Sequence, residues 1–314
     1  MVQVRVQDSL SSAEHAQVLS FLDTVAETEQ QVLNDHLRSD LMGSPRAGFT
    51  AAFATDGHGA LVGYAQASAA NDGWLLGCVR HGAPDAITER LLHDLLDALP
   101  AGATATWWLH DGIADELAAR IGLRPDRRLL NMRRTFPLEV TTDVVTRPFV
   151  VGIDEPAWLA VNNAAFAWHG EQGGWDLATL QQREREPWFD PDGFLLHERD
   201  GRLAAFCWTK LHTGAADGPV GEIYVIAVDP RFHGLGLGRA MTVAGLRHLQ
   251  SVGAHTAMLY VDGENTAAIG LYRNLGFAVA HTDQSYHRGA GHAAANTADT
   301  ANTAKIEESP HDVD

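Results

Sequence analysis

The chain runs through one order of elements twice, which restricts it to two copies of a single small α/β plan. In the first half, residues 12–38 read as helical, with apolar Val18, Leu19, Leu22, Val25, Val32 and Leu33. Strand-like runs follow over 48–54 and 60–68, parted by the turn Asp56-Gly57-His58-Gly59, and a third covers 74–79. A helix carries Ile87, Leu91, Leu95 and Leu99 and stops at Pro100-Ala101-Gly102. A strand over 104–109, a short helix over 114–120 and a strand near 129–133 complete the half. The second half predicts helices over 155–167 and 176–186, then strands over 193–198 and 202–212 joined by Asp200-Gly201. A strand over 222–228, a helix over 237–252, a strand over 256–261, a helix over 266–275 and a strand from Phe277 follow. Asp56-Gly57 echoes Asp200-Gly201, and Ile121-Gly122-Leu123 echoes Leu275-Gly276-Phe277. The expected fold is α/β, an α+β mixed sheet in each of two tandem domains, 1–136 and 151–288, mostly antiparallel and flanked by helices. Residues 137–150, with Pro137, Thr141, Thr142 and Pro148, read as a linker. The tail over 289–314 is rich in Ala, Thr, Asp and Glu and reads as disordered.

Charge narrows the partners. A formal net charge of −17 on 314 residues argues against nucleic acid or an anionic membrane surface. It suits a cationic substrate such as an amine only weakly, and solubility alone accounts for it better. No apolar run reaches the length of a membrane span, and the opening MVQVRVQDSLSSAEH has no apolar core of a signal peptide. The two cysteines, Cys78 and Cys207, lie in apolar segments and read as small buried hydrophobes in a reducing cytoplasm. No Cys and His spacing suits a metal, so none is expected.

The most informative stretch runs Gly221-Glu222-Ile223-Tyr224-Val225-Ile226-Ala227-Val228-Asp229-Pro230, then Arg231-Phe232-His233-Gly234-Leu235-Gly236-Leu237-Gly238-Arg239. It reads as a buried strand, a turn, a glycine-rich loop and a helix. Glycines let backbone approach a ligand closely, and a helix N-terminus favours an anion such as pyrophosphate. No Gly-Lys-Ser/Thr follows, so this is not a Walker loop, and the glycine spacing is not a dinucleotide fingerprint. The order resembles the pyrophosphate loop of the GNAT superfamily of N-acetyltransferases. That family places Arg or Gln where His233 stands, then glycines at Gly236 and Gly238. Asn265, opening a helix, and Tyr272, sharing a face of it with Ala268 and Leu275, follow in the family's order. The plain alternatives are an N-cap for Asn265 and a core aromatic for Tyr272.

More specific stretches are similar to the mycothiol synthase family. They are Val161-Asn162-Asn163-Ala164-Ala165-Phe166, His169, Glu171-Gln172-Gly173-Gly174-Trp175, Glu186-Pro187-Trp188-Phe189-Asp190, Trp208-Thr209-Lys210 and Asn131-Met132-Arg133-Arg134. This resemblance implies tandem GNAT-like domains with the active site in the C-terminal one. It implies acetyl-CoA as co-substrate and acetylation of the cysteinyl amine of cysteinyl-glucosaminyl-inositol, giving mycothiol. A monomer acting on a small-molecule amine in the cytoplasm is expected.

Residue roles follow from the same likeness. Glu222 is the base, in a place where strand burial removes a carboxylate from water, and Tyr272 is the acid to the departing thiolate. Backbone at Ile226, Ala227 and Val228 would face the pantetheine arm and the thioester carbonyl, with Ile226 and Val228 expected on the face of Glu222 because all three are even-numbered. The coenzyme would also meet His233, Gly234, Leu235, Gly236, Leu237, Gly238 and Arg239, and Asn265, Thr266, Ala267, Ala268, Ile269 and Gly270. Glu171, Lys210 and Tyr260 are implied substrate contacts, with Gln30 near a further one from the first half; Asp262 is a polar neighbour. Trp175 and Trp188 line either a sugar face or the core. Cys207 has no basic partner beside it in sequence, so an acyl-cysteine route is rejected. In the first half Trp74–Pro84 keeps only Gly77 and Gly82 where the loop should be, and turnover is not expected there. Two other functions stay open: acetylation of another amine, such as an aminoglycoside or peptide N-terminus, and a non-catalytic acetyl-CoA-binding regulatory module.

Overall fold

The computed structural model describes residues 2–29, 33, 35–42, 48–70, 73–82, 85–110, 112, 114–167, 172–213 and 218–289. The predicted tail from residue 290 lies outside them. In chain order the elements are β1 (Gln3–Gln7), α1 (Ser12–Glu29), α2 (Asp35–Met42), β2 (Phe49–Thr55), β3 (Leu61–Ala70), β4 (Gly73–Arg80), α3 (Asp85–Ala98), β5 (Ala105–Leu109), α4 (Asp115–Arg120) and β6 (Arg124–Thr135). Then come β7 (Arg147–Pro148), α5 (Glu155–Ala165), α6 (Leu177–Arg183), β8 (Phe194–Arg199), β9 (Arg202–His212), β10 (Val220–Val228), α7 (Leu237–Ser251), β11 (Thr256–Asp262), α8 (Thr266–Asn274) and β12 (Ala278–Arg288).

The described chain divides into two compact units, one holding residues up to Arg127 together with those from Asp283, the other holding Arg128–Thr282. This division does not follow the sequence halves. The first unit's strands run β1-β2-β3-β4-β5-β12 and the second's run β7-β8-β9-β10-β11-β6. Each sheet is thus completed by a strand from the other half of the sequence. Gln284–Arg288 of β12 pair antiparallel with β5, and Leu129–Thr135 of β6 pair antiparallel with β11.

Local chemistry sets the elements of the first unit. Helix α1 begins on a capping box, in which the Glu14 carboxylate accepts from Ser11 N at 2.8 Å and from Ser11 Oγ at 2.6 Å. Those bonds hold Glu14 at about 2, well below the usual carboxylate value. The single helix expected over 12–38 is two, α1 and α2. In the turn after β2, Asp56 Oδ1 accepts from His58 N and Ala60 N. Strand β1 was not expected; its Val4 and Val6 pack on the core under α3, and Arg5 lies 4.4 Å from the Phe53 ring centre on the other face.

In the second unit α7 and α8 cover one face of the sheet over a core that includes Cys207, Ile223, Ile226, Val228, Met241, Leu246, Ala268 and Tyr272. The other face carries α5 over an aromatic core of Phe149, Trp158, Phe194, Phe206 and Trp208. Phe194 stacks on Trp208 with ring centres 4.3 Å apart. The expected linker is built into this unit. Leu138 is buried in the first of these cores, β7 pairs with β8, and Arg147 donates to both Asp154 oxygens at 2.6 and 2.8 Å. The expectation that 137–150 only connects two domains is corrected accordingly.

One irregularity matters most. The β9–β10 ladder shifts register between Ile223 and Val225, so Tyr224 and Val225 both turn to the aromatic face. Parity reverses across this bulge. Ile223, Ile226 and Val228 belong to the helix-covered face, whereas Glu222 pairs with Lys210 on the opposite one. The expectation that Glu222, Ile226 and Val228 share a face is overturned.

Candidate active site

The glycine loop ends on Gly236, which caps α7 in the left-handed region at φ 72°, and no side chain caps this helix. A Cβ at Gly234 or Gly236 would meet nothing within 4 Å, so the approach to the first-turn amides is open. An uncapped N-terminus with free space before it fits a phosphate group. The Asp229 carboxylate is tied to the Arg231 guanidinium at 2.5 Å, which holds it below its ordinary value and shapes the turn before the loop. The His233 ring bonds the Val228 carbonyl at 3.1 Å, so its side chain anchors the loop to the strand. Leu235 is exposed and Leu237 is buried. Arg239 is exposed in the first turn of α7.

Beyond the loop the sheet opens. Strands β10 and β11 pair in parallel only at Val220–Glu222 with Thr256–Met258. Asp229 N–H reaches Ala204 O on β9, so alternation directs Ala227 toward β9 too. The N–H groups of Ile226 and Val228 therefore turn to the open side. A narrow cleft there is lined by Ile226, Gly238, Thr242, Ala268, Leu271 and Tyr272. Sequence reasoning named four of these and missed Thr242 and Leu271; only the helix packing reveals them.

Helix α8 carries the far wall. Asn265 Oδ1 accepts from Ala268 N at 3.0 Å, so the N-cap reading holds for it. Thr266 and Ala267 are exposed, Gly270 is partly so, and Ala268 and Ile269 are buried. Tyr272 packs edge-on against Phe277, and its hydroxyl has no hydrogen-bond partner among the described residues. Burial pushes its phenol above the ordinary value, with the Cys207 thiol a lesser cause. Cys207 is itself fully buried and pushed up by desolvation, as befits an inert core thiol. Asp262 Oδ1 accepts from Glu264 N at 2.9 Å in the turn before α8.

On the other face lie the polar groups. Glu222 is buried, and its Oε2 meets His212 Nε2 at 2.8 Å. Sequence reasoning missed His212, which is a diagonal cross-strand neighbour visible only once the β9–β10 register is known. Lys210 is buried opposite Glu222, with Nζ 4.6 Å from the Trp188 ring centre and 5.9 Å from that of Tyr224. Tyr260 is buried on β11 beside His281. Trp188 therefore supports a polar side chain, whereas Trp175 packs on Trp158 in the core. Gln30 and Glu171 lie outside the described residues.

The model of the acetyltransferase (GNAT) family matches residues 162–277. A mycothiol acetyltransferase of Acidothermus cellulolyticus is 37% identical over 311 residues, covering 92% of this chain and 95% of that one. The chain belongs to the mycothiol acetyltransferase family. A mycothiol acetyltransferase of Thermobispora bispora is 50% identical over 208 residues, covering 63% of this chain and 70% of the other. In fold the chain is similar to a GCN5-related N-acetyltransferase from Sphaerobacter thermophilus, with TM-score 0.61 and 19% identity over 92% of this chain and 97% of that chain. The protein is thus an acyltransferase that transfers acetyl, with acetyl-CoA the co-substrate of its family. No helix among the described residues is long and apolar enough to cross a membrane.

Proposed function

We propose that the second unit acetylates the cysteinyl amine of cysteinyl-glucosaminyl-inositol, giving mycothiol and coenzyme A. Kinship over almost the whole chain carries this reading, and the geometry suits it. The reacting groups would meet where the β10–β11 ladder ends, in a passage from the helix-covered face to the polar face. Acetyl-CoA supplies the acetyl group as a thioester. The open first turn of α7 would hold its pyrophosphate, and backbone of Ile226 to Val228 would line the passage for its arm.

Glu222, steadied by His212, would take a proton from the amine, which then attacks directly without an acyl-enzyme. The Ile226 N–H, turned from β9, is the candidate donor to the developing oxyanion. Tyr272 would give its proton to the leaving thiolate, and burial keeps that phenol protonated at neutral pH. Glu222→Gln tests the mechanism and the rival of a purely binding module together. Turnover should fall at least about a hundredfold while acetyl-CoA binding persists. Undiminished turnover would remove Glu222 as the base.

A further inference from the structure

We propose that Arg133 and Asn131 form a subsite that binds hydroxyl oxygens of a polyol carried by the amine substrate. The proposal rests on the reading that the second unit acetylates an amine bearing such a group. It comes from the register. Lys210 pairs with Glu222, Glu222 with Met258, and Met258 with Arg133. These four therefore form one row across β9, β10, β11 and β6, with side chains on one face. Tyr260 and Asn131 make the next row on β11 and β6.

Arg133 is exposed, and it has no carboxylate partner among the described residues. Its Nε donates to Asn131 Oδ1 at 3.1 Å, and its Nη2 lies 4.0 Å from Met258 Sδ, the residue between it and Glu222. Asn131 is 0% exposed, and its Nδ2 has no hydrogen-bond partner. A buried amide donor without an acceptor is costly. An acceptor-rich ligand over this row would remove that cost, with small movement of the Arg133 side chain bonded to the same amide. With Asn131 Oδ1 taken by Arg133, the guanidinium fork and the amide nitrogen are left to donate, which suits hydroxyl oxygens.

Spacing decides which part of the substrate they meet. Strands lie about 4.8 Å apart, so Arg133 stands about 10 Å from Glu222, two strands away. An amine at Glu222 reaches Arg133 only through a body spanning that distance. A two-ring substrate has one, and a free amino acid does not. The row then works as a ruler: amine at Glu222, rings across Met258, hydroxyls at Arg133.

The test is calorimetric titration of glucosaminyl-inositol, which lacks the cysteinyl amine, into full-length protein saturated with coenzyme A. Wild type should bind, and Arg133→Ala should weaken Kd about tenfold. Arg133→Lys should recover little, because lysine keeps the charge and loses the fork. The preference in kcat/KM for cysteinyl-glucosaminyl-inositol over cysteinamide should fall by a similar factor in Arg133→Ala. A Kd within about twofold of wild type, or no binding to wild type, overturns the subsite. Turnover by wild type combined with Arg133-independent binding defeats the subsite alone. Arg133-dependent binding without acetylation of any cysteinyl amine keeps the subsite and defeats the functional reading.

Discussion

Strands β4 and β10 hold the same place in the two sheets, and they differ in four respects. Both parallel ladders end after three pairs, at Leu76 with Trp107 and at Glu222 with Met258. The β3–β4 ladder runs unbroken over Gly63–Ala70 and Gly73–Arg80, whereas β9–β10 is bulged at Tyr224. The parallel ladder's last pair carries a buried leucine on the face under α3 in one unit, and a buried glutamate on the face away from α7 in the other. The helix that follows also differs: α3 has Asp85 in its first turn, bonded to Arg80 at 2.6 Å, and α7 opens on uncapped glycine backbone. An acid there answers the helix dipole internally and repels a phosphate. A side chain at Gly77 would meet Leu33 and Leu37 at 2.6 and 2.5 Å, so that face of the first sheet is filled. One strand plan becomes a site through a bulge, an acid and an open helix end.

The largest effect is expected at Tyr272 of the second unit. Tyr272→Phe should lower kcat about a hundredfold with acetyl-CoA affinity unchanged; an undiminished kcat would mean that the cleft of the second unit has no acid there. In wild type, burial raises this phenol above its ordinary 10.0, so no loss of rate below pH 10 should trace to its ionisation. Arg239→Asp sharpens the contrast by carrying the acidic first turn of α3 into α7. Its KM for acetyl-CoA should rise about tenfold, and an unmoved KM would detach the helix end from the coenzyme.

Smaller effects concern stability. Gly245 brings α7 onto the sheet, where an added Cβ would collide with Cys207 Sγ and lie 2.9 Å from Ile223 Cδ1. Gly245→Ala should cost about 2 kcal/mol, seen as a fall in Tm. Arg147→Ala should cost about 1 kcal/mol, because the guanidinium is partly exposed. The Arg147 bonds hold Asp154 below its ordinary 3.8, so that contribution is present above this pH and fades as pH falls through the depressed value. A Tm difference between the two proteins that grows on acidification would contradict the pairing.

What was legible in the sequence was local. The glycine loop, Asn265 and Tyr272 lie on consecutive elements, and their spacing reports their placement. The Asp56-Gly57 and Asp200-Gly201 turns were legible for the same reason, with Asp200 at φ 53° before a glycine at φ 70°. What escaped depends on partners distant in the chain. The bulge at Tyr224 is a property of β9 against β10, so counting parity along β10 alone placed Glu222 on the wrong face. His212 meets Glu222 through that same register, and Thr242 and Leu271 enter the cleft through helix packing. The completion of each sheet by a strand from the other half leaves no mark in either strand's own composition.

The most direct test combines the protein with acetyl-CoA and cysteinyl-glucosaminyl-inositol and reads the product by mass. The substrate should gain one acetyl group on the cysteinyl nitrogen, with the thiol left free. An unmodified substrate with acetyl-CoA still bound, or an acetyl group carried on sulfur, would contradict it.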